Sequence, residues 1–136
     1  KWGRMLPILV KGMLAAGDRL YVCGPDELAD QPKLVGKGRP ISEPAGEKAV
    51  FDQWAALRGA SGGKLFEVDS TNGKLLAGYE VDAIPVFDGM ASAYGRLFCS
   101  MSDGTVRCWS AQGPADTGKE IAAQKIAQYN QNSGVH

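Results

Sequence analysis

The sequence predicts an all-β fold built from repeated antiparallel strand units, and three observations predict it. The chain contains one stretch twice: Ile8–Asp26 lies on Pro85–Asp103 without a gap, at an offset of 77. Gly12 then falls on Gly89, Met13 on Met90, Ala16 on Ala93, Arg19 on Arg96, Leu20 on Leu97 and Asp26 on Asp103. Such a repeat marks units that cannot bury their own faces and must stack on a neighbour. Short apolar segments alternate with turn residues, and 18 Gly and 7 Pro suit many short strands. The third observation is length. The second unit closes its hairpin in about three residues, where the first unit holds Pro25 to Gly63. Exchanging one connection for the other shortens the repeat to about 41 residues, the size of a four-stranded propeller blade.

The elements follow in order. Leu6–Val10 is an apolar run short enough for a buried strand, closed by Lys11-Gly12. Met13–Ala16 continues extended, Gly17-Asp18 is a turn, and Arg19–Cys23 alternates as a strand before Gly24-Pro25. From Asp26 to about Gly46 the chain reads as polar loop, with Pro32, Pro40 and Pro44 and the basic residues Lys33, Lys37 and Arg39. In Glu47–Arg58 the period changes to three and four. Val50, Phe51, Trp54 and Leu57 are expected to form the packing face of a helix lying over the strands, ended by Gly59. Lys64–Val68 and Lys74–Val81 are strands about the turn Asp69–Gly73, where Asp bonds the backbone and Gly takes positive φ.

The repeat restarts at Ile84–Phe87 and ends in a hairpin of Leu97–Met101 and Thr105–Trp109 about Asp103-Gly104. A two-residue turn there pairs Cys99 with Cys108 on one sheet face, as two buried thiols or a strained bridge. Thr117-Gly118-Lys119-Glu120 has the form of a capping box, with Ile121, Ala122, Ile126 and Tyr129 following at helical spacing and Asn130–His136 as a frayed tail. The organisation expected is therefore 1–110 as blades, with 25–63 inserted, and 111–136 as an extension bearing a short helix.

Composition restricts the function classes. Fifteen basic residues balance fifteen acidic ones, which gives no whole-chain electrostatic case for nucleic acid. No apolar run approaches the roughly 20 residues of a membrane span. Three cysteines, none in a C-x-x-C pair, suit neither a disulfide scaffold nor a zinc site. The single histidine, His136, excludes a Ser-His-Asp or Cys-His arrangement within the chain. Opening on Lys1, the chain reads as a piece of something longer.

Gly59-Ala60-Ser61-Gly62-Gly63-Lys64 has the composition of a phosphate loop, but Arg58 and Leu65 stand where Gly and Ser or Thr are required. Asp69, Asn72 and Gly73 lack the spacing of a calcium loop and read as a plain turn. The carboxylate pairs Glu43 with Glu47, Glu67 with Asp69 and Glu80 with Asp82 read as solvated charge. Trp2, Trp54, Trp109, Tyr21, Tyr79 and Tyr94 have the composition of a sugar or peptide groove, yet packing accounts for aromatic rings in strands and on helix faces. No catalytic, cofactor-binding or metal-ligating residue is assigned.

Val68–Leu76 (VDSTNGKLL), Ile84–Met90 (IPVFDGM) and Gly95–Phe98 (GRLF) together resemble the bacterial quinoprotein-type β-propeller repeat. This is the repeat of pyrroloquinoline quinone (PQQ) dehydrogenases and their non-catalytic relatives. More closely, Gly12–Glu27 paired with Leu57–Met90 resembles the C-terminal blades of large bacterial PQQ-like repeat proteins, and the resemblance covers roughly Leu6–Gly24 and Leu57–Trp109. The resemblance implies a partial propeller of about two blades, a fragment of a larger ring whose missing strand comes from the other end of the ring. It implies partners among the remaining blades or another subunit, a periplasmic or extracellular setting, and a non-catalytic scaffold or binding role. The alternative it implies is a PQQ-dependent oxidoreductase whose catalytic residues, with PQQ and calcium, lie upstream. Departures weaken the catalytic alternative. Glu67 and Ala77 stand where the family's docking motif has Ala and Trp, Cys108 and Ser110 where it has Ala and Asp, and the adjacent cysteine pair is missing.

Overall fold

This computed structural model describes residues 1–28, 44–110 and 118–132, and among the described residues eight strands and two helices form. Lys33, Lys37, Arg39, Glu43, Thr117 and His136, singled out above, lie outside the described residues. The fold is mostly β, in two antiparallel sheets with two short helices. The first sheet runs β1 (Gly12–Ala16), β2 (Arg19–Gly24), β3 (Gly63–Asp69), β4 (Leu75–Val81) and then β8 (Gly118–Glu120). The second runs β5 (Pro85–Ala93), β6 (Arg96–Met101) and β7 (Val106–Ser110).

The repeat is structural as well as sequential. In the first sheet Gly12 faces Cys23 and Ala16 faces Arg19; in the second Met90 faces Cys99 and Ala93 faces Arg96. A shift of 77 carries one register onto the other. Both connections are two-residue hairpin turns, but of different type: only Gly17 has positive φ in the first, whereas Tyr94 and Gly95 both have it in the second. Arg19 faces Asp69 and Arg96 faces Ser110, so β3 and β7 are equivalent strands only 41 residues apart.

The sheets stack head to tail. Cys23, Leu65 and Val81 of the first sheet, with Leu14, Tyr21 and Tyr79, meet Met90, Leu97, Cys99, Met101 and Trp109 of the second in one buried cluster. The second-sheet residues Met90, Leu97 and Cys99 are the repeat equivalents of Met13, Leu20 and Val22, which belong to the opposite face of the first sheet. That opposite face is covered by the chain's own ends. Ile8, Ile121 and Ile126, with Trp2, Leu6 and Tyr129, close over Val22, Phe66, Val68 and Leu75.

Helix α1 (Pro44–Leu57) begins on a proline, whose fixed φ suits the first turn, and carries Glu47 in that turn. It stops where Gly59 (φ 89°) donates to Ala56 and Ala60 donates to Ala55, a Schellman closure.

Four expectations are corrected. Leu6–Val10 is not a regular strand: Ile8 makes one isolated bridge to Asp26, because the chain runs past Gly24 with the Leu9 carbonyl where a Cβ would sit. The apolar stripe of α1 does not pack. Phe51 is 73% and Trp54 60% exposed, while the helix docks through Gln53 and Ala56. The Gln53 amide accounts for this inversion, since it donates to the Asp26 carbonyl (3.0 Å) and accepts from the Leu28 N–H (2.6 Å). Residues 118–120 do not open a helix. They form β8 on the edge of β4, and helix α2 (Ala123–Asn132) starts after Ile121 has donated to the Gly78 carbonyl.

The fourth correction concerns the cysteines. The Met101 N–H donates to the Thr105 carbonyl (2.8 Å), so the loop has three residues, Ser102–Gly104, and not two. Asp103 Oδ1 accepts from the Thr105 N–H and hydroxyl, and Gly104 (φ 85°) supplies the left-handed position such a loop needs. One residue of slip turns a side chain to the other face. Cys108 therefore sits exposed opposite Phe98, and Cys99 is buried opposite Arg107.

Candidate functional site

A cleft of about 720 Å3 lies between the two sheets. Tyr21 and Glu67 enter it from β2 and β3, Tyr79 from β4, Trp109 from β7, and Tyr94 with Arg96 from the β5–β6 hairpin. Of the six aromatic residues read from the sequence, four thus converge here. Trp2 instead donates through Nε1 to the Ser70 carbonyl (2.8 Å), and Trp54 stands on α1. Trp109 is the buried floor, and its Nε1 has no hydrogen-bond partner among the described residues. Tyr94 is at the rim, fully exposed and at φ 53°, a backbone conformation unusual for an aromatic residue.

Glu67 Oε1 accepts from Arg19 Nε at 2.8 Å, and Arg19 also pairs with Asp18 at 2.7 Å, so the carboxylate is held in a salt bridge. Burial, and then the Glu67 charge, push the Tyr21 hydroxyl up; burial, then Glu120 and Glu67, do the same for Tyr79. Both phenols remain protonated hydrogen-bond donors at neutral pH.

The residues assigned no chemistry above are placed accordingly. Asp69 is consumed by its own turn: Oδ1 accepts from the Thr71 N–H and hydroxyl, Oδ2 from the Asn72 amide. These bonds, the Thr71 hydroxyl first, hold its carboxyl below the usual range. Lys64, which closes the glycine-rich connector, is buried and ion-paired with Asp26. Among the described residues no group of three or more His, Cys, Asp or Glu gathers into a metal-binding arrangement.

Two further surfaces lie open. On α1, Val50, Phe51 and Trp54 with Arg58 form an apolar shelf, with the Arg58 guanidinium 5.4 Å from the Trp54 ring centre. On the second sheet, the face turned away from the first carries Val106 at 66% exposure and Cys108, which is also exposed. Counting units leaves two bare blade faces, but strand alternation alone does not say which of them stays uncovered. The signal was in the repeat, since Val106 is the equivalent of buried Leu65.

No family model, curated protein or solved structure matches the chain. No described helix is long and apolar enough to cross a membrane.

Proposed function

We propose that this chain is a non-catalytic scaffold or binding module, part of a larger β-propeller of the PQQ-like repeat class. The observation that carries the reading is head-to-tail stacking of equivalent units. The first sheet receives the second on Leu14, Tyr21, Cys23 and Leu65. Their equivalents on the second sheet, Ala91, Phe98, Ser100 and Val106, make up its open face. A unit that stacks head to tail leaves the same receiving surface at its far end, and such an interface propagates into a ring where the rotation between units closes. The next unit would present residues of the Met90, Leu97 and Trp109 kind to that face.

The free edge of β7 supports the same reading. The first sheet has a fourth strand, β4, where the second sheet ends at β7 among the described residues. A strand supplied by another part of the ring completes it, and its inward side chains would close the cleft beside Tyr79 and Trp109. Salt-bridged Glu67 and the protonated tyrosines fit this binding role and supply no nucleophile or base.

The test is sedimentation of the 136-residue chain across a concentration series. Association is expected, driven by the uncovered sheet face, and Val106→Glu should weaken it at least tenfold. A monomeric profile at all concentrations with a sharp cooperative melt would sink the proposal.

A further inference from the structure

Cys23 and Cys99 are both completely buried and belong to different sheets, β2 and β6, within one apolar cluster. Each thiol is the leading influence on the other's ionisation, and both lie in the one cluster buried where the sheets meet. Stacked sheets ordinarily lie about 10 Å apart, too far for a disulfide, whose Cα atoms need roughly 4.4–6.8 Å. Here the sheets converge. The Asp88 N–H donates to the Lys11 carbonyl at 3.0 Å, joining β5 directly to the segment that leads into β1. Gly12, the cross-strand partner of Cys23, has no side chain, and Met90, the partner of Cys99, packs onto the space a Cβ would take. The cross-strand partners of the two cysteines are therefore in close contact, beside a backbone hydrogen bond between the sheets.

We propose that Cys23 and Cys99 form a disulfide that locks the two sheets together when the chain folds in the presence of a disulfide reagent. The inference does not depend on the propeller reading. One cysteine thiolate attacks a sulfur of a low-molecular-weight disulfide and displaces one thiolate of that reagent. The second cysteine thiolate then attacks the mixed disulfide and displaces the other. The two cysteines lose two protons and two electrons, and the reagent is reduced to two thiols. Both groups are inaccessible in the closed fold, so exchange takes place before the sheets meet or during opening. The exposed Cys108 remains a free thiol.

The experiment refolds the 136-residue chain in a reduced and oxidised glutathione buffer, blocks free thiols with iodoacetamide under denaturing conditions and maps peptides by mass. A linked Cys23–Cys99 peptide with alkylated Cys108 is expected, and adding dithiothreitol should lower the thermal midpoint by on the order of 10 °C. Alkylation of all three cysteines, or a linkage that includes Cys108, would overturn the proposal. Mapping is done on the native sequence, so the result does not rest on whether serine variants fold. Cys108→Ser, conservative at an exposed site, provides a second sample in which only the proposed linkage can form within one chain.

Discussion

At the residue scale the two Asp-x-Thr turns show how a short polar motif carries local structure. Asp69 and Asp103 each accept from the N–H and hydroxyl of the threonine two residues on. In both, the threonine hydroxyl bond is the first cause holding the carboxyl below its usual range. Since the folded pKa is depressed, the stabilisation is present above the unfolded value near 4 and is lost as pH falls through the folded one. Asp69→Ala and Asp103→Ala should therefore lower the melting temperature at pH 7, and the difference from the parent should shrink steadily below about pH 4. A difference that stayed constant to pH 2 would show that the carboxylate charge is not what the turn uses. Both turns were legible in the sequence because Asp and Gly are selected by backbone geometry. The consequence of the second was not. A Ser-Asp-Gly loop of three residues and an Asp-Gly loop of two look alike on paper, and only the Met101–Thr105 bond separates a buried Cys99 facing Cys108 from the real arrangement.

At the element scale, the outer edge of β4 is sealed by pieces with little strand character. β8 pairs with Tyr79–Val81, Ile121 donates to Gly78, and the Asn130 side chain both accepts from the Leu75 N–H (2.9 Å) and donates to the Leu75 carbonyl (3.0 Å). An amide side chain thus imitates one residue of a neighbouring strand. Arg4 secures it, donating to Asn130 Oδ1 at 2.8 Å and to the Tyr129 carbonyl at 3.0 Å. Asn130→Ala leaves the Leu75 groups without that partner and should cost about 1–3 kcal/mol in urea unfolding. The Leu75 amide should also lose hydrogen-exchange protection, whereas amides of β6 should not. Unchanged exchange at Leu75 would remove Asn130 from the edge. None of this was legible beforehand, because Thr117–Glu120 matches a helix cap and Asn130 follows the last apolar position of α2. Edge pairing depends on what lies across space. The α1 stripe failed for the same reason: its apolar period is correct for a helix, but the docking side was decided by Gln53 reaching the Asp26–Leu28 backbone.

At the scale of the molecule, the repeat offset was the most legible feature, since it requires only identities at fixed distance and the register follows. β1–β2 and β5–β6 superimpose at 77 residues, while β3 and β7 lie 41 apart. The difference is the inserted connection, so Gly24 opposite Lys64 is the counterpart of Met101 opposite Thr105. Residues 25–63 then occupy the place of Ser102-Asp103-Gly104. The open face of the second sheet was harder to foresee. Two bare faces follow from counting units, yet one is covered by Trp2, Leu6 and the isoleucines of the C-terminal segment, whose spacing reveals no destination.

The equivalence of the two connections makes a direct prediction. Replacing residues 25–63 by Ser-Asp-Gly should preserve both sheets, because every inter-strand pair from Arg19 to Gly24 retains its partner in Lys64 to Asp69. The exchange discards the Lys64–Asp26 ion pair and the burial of Ala56, each a loss. It also shortens a closed loop from 39 residues to three, which recovers about 2 kcal/mol of closure entropy at roughly 0.6 kcal/mol per doubling. The two effects oppose each other, so the urea midpoint should move little, and strand content by circular dichroism should remain. Amides in β2, β3 and β6 should keep their protection together. If the shortened chain exchanged all its amides at unfolded rates, α1 would be part of the core and not an attachment to it.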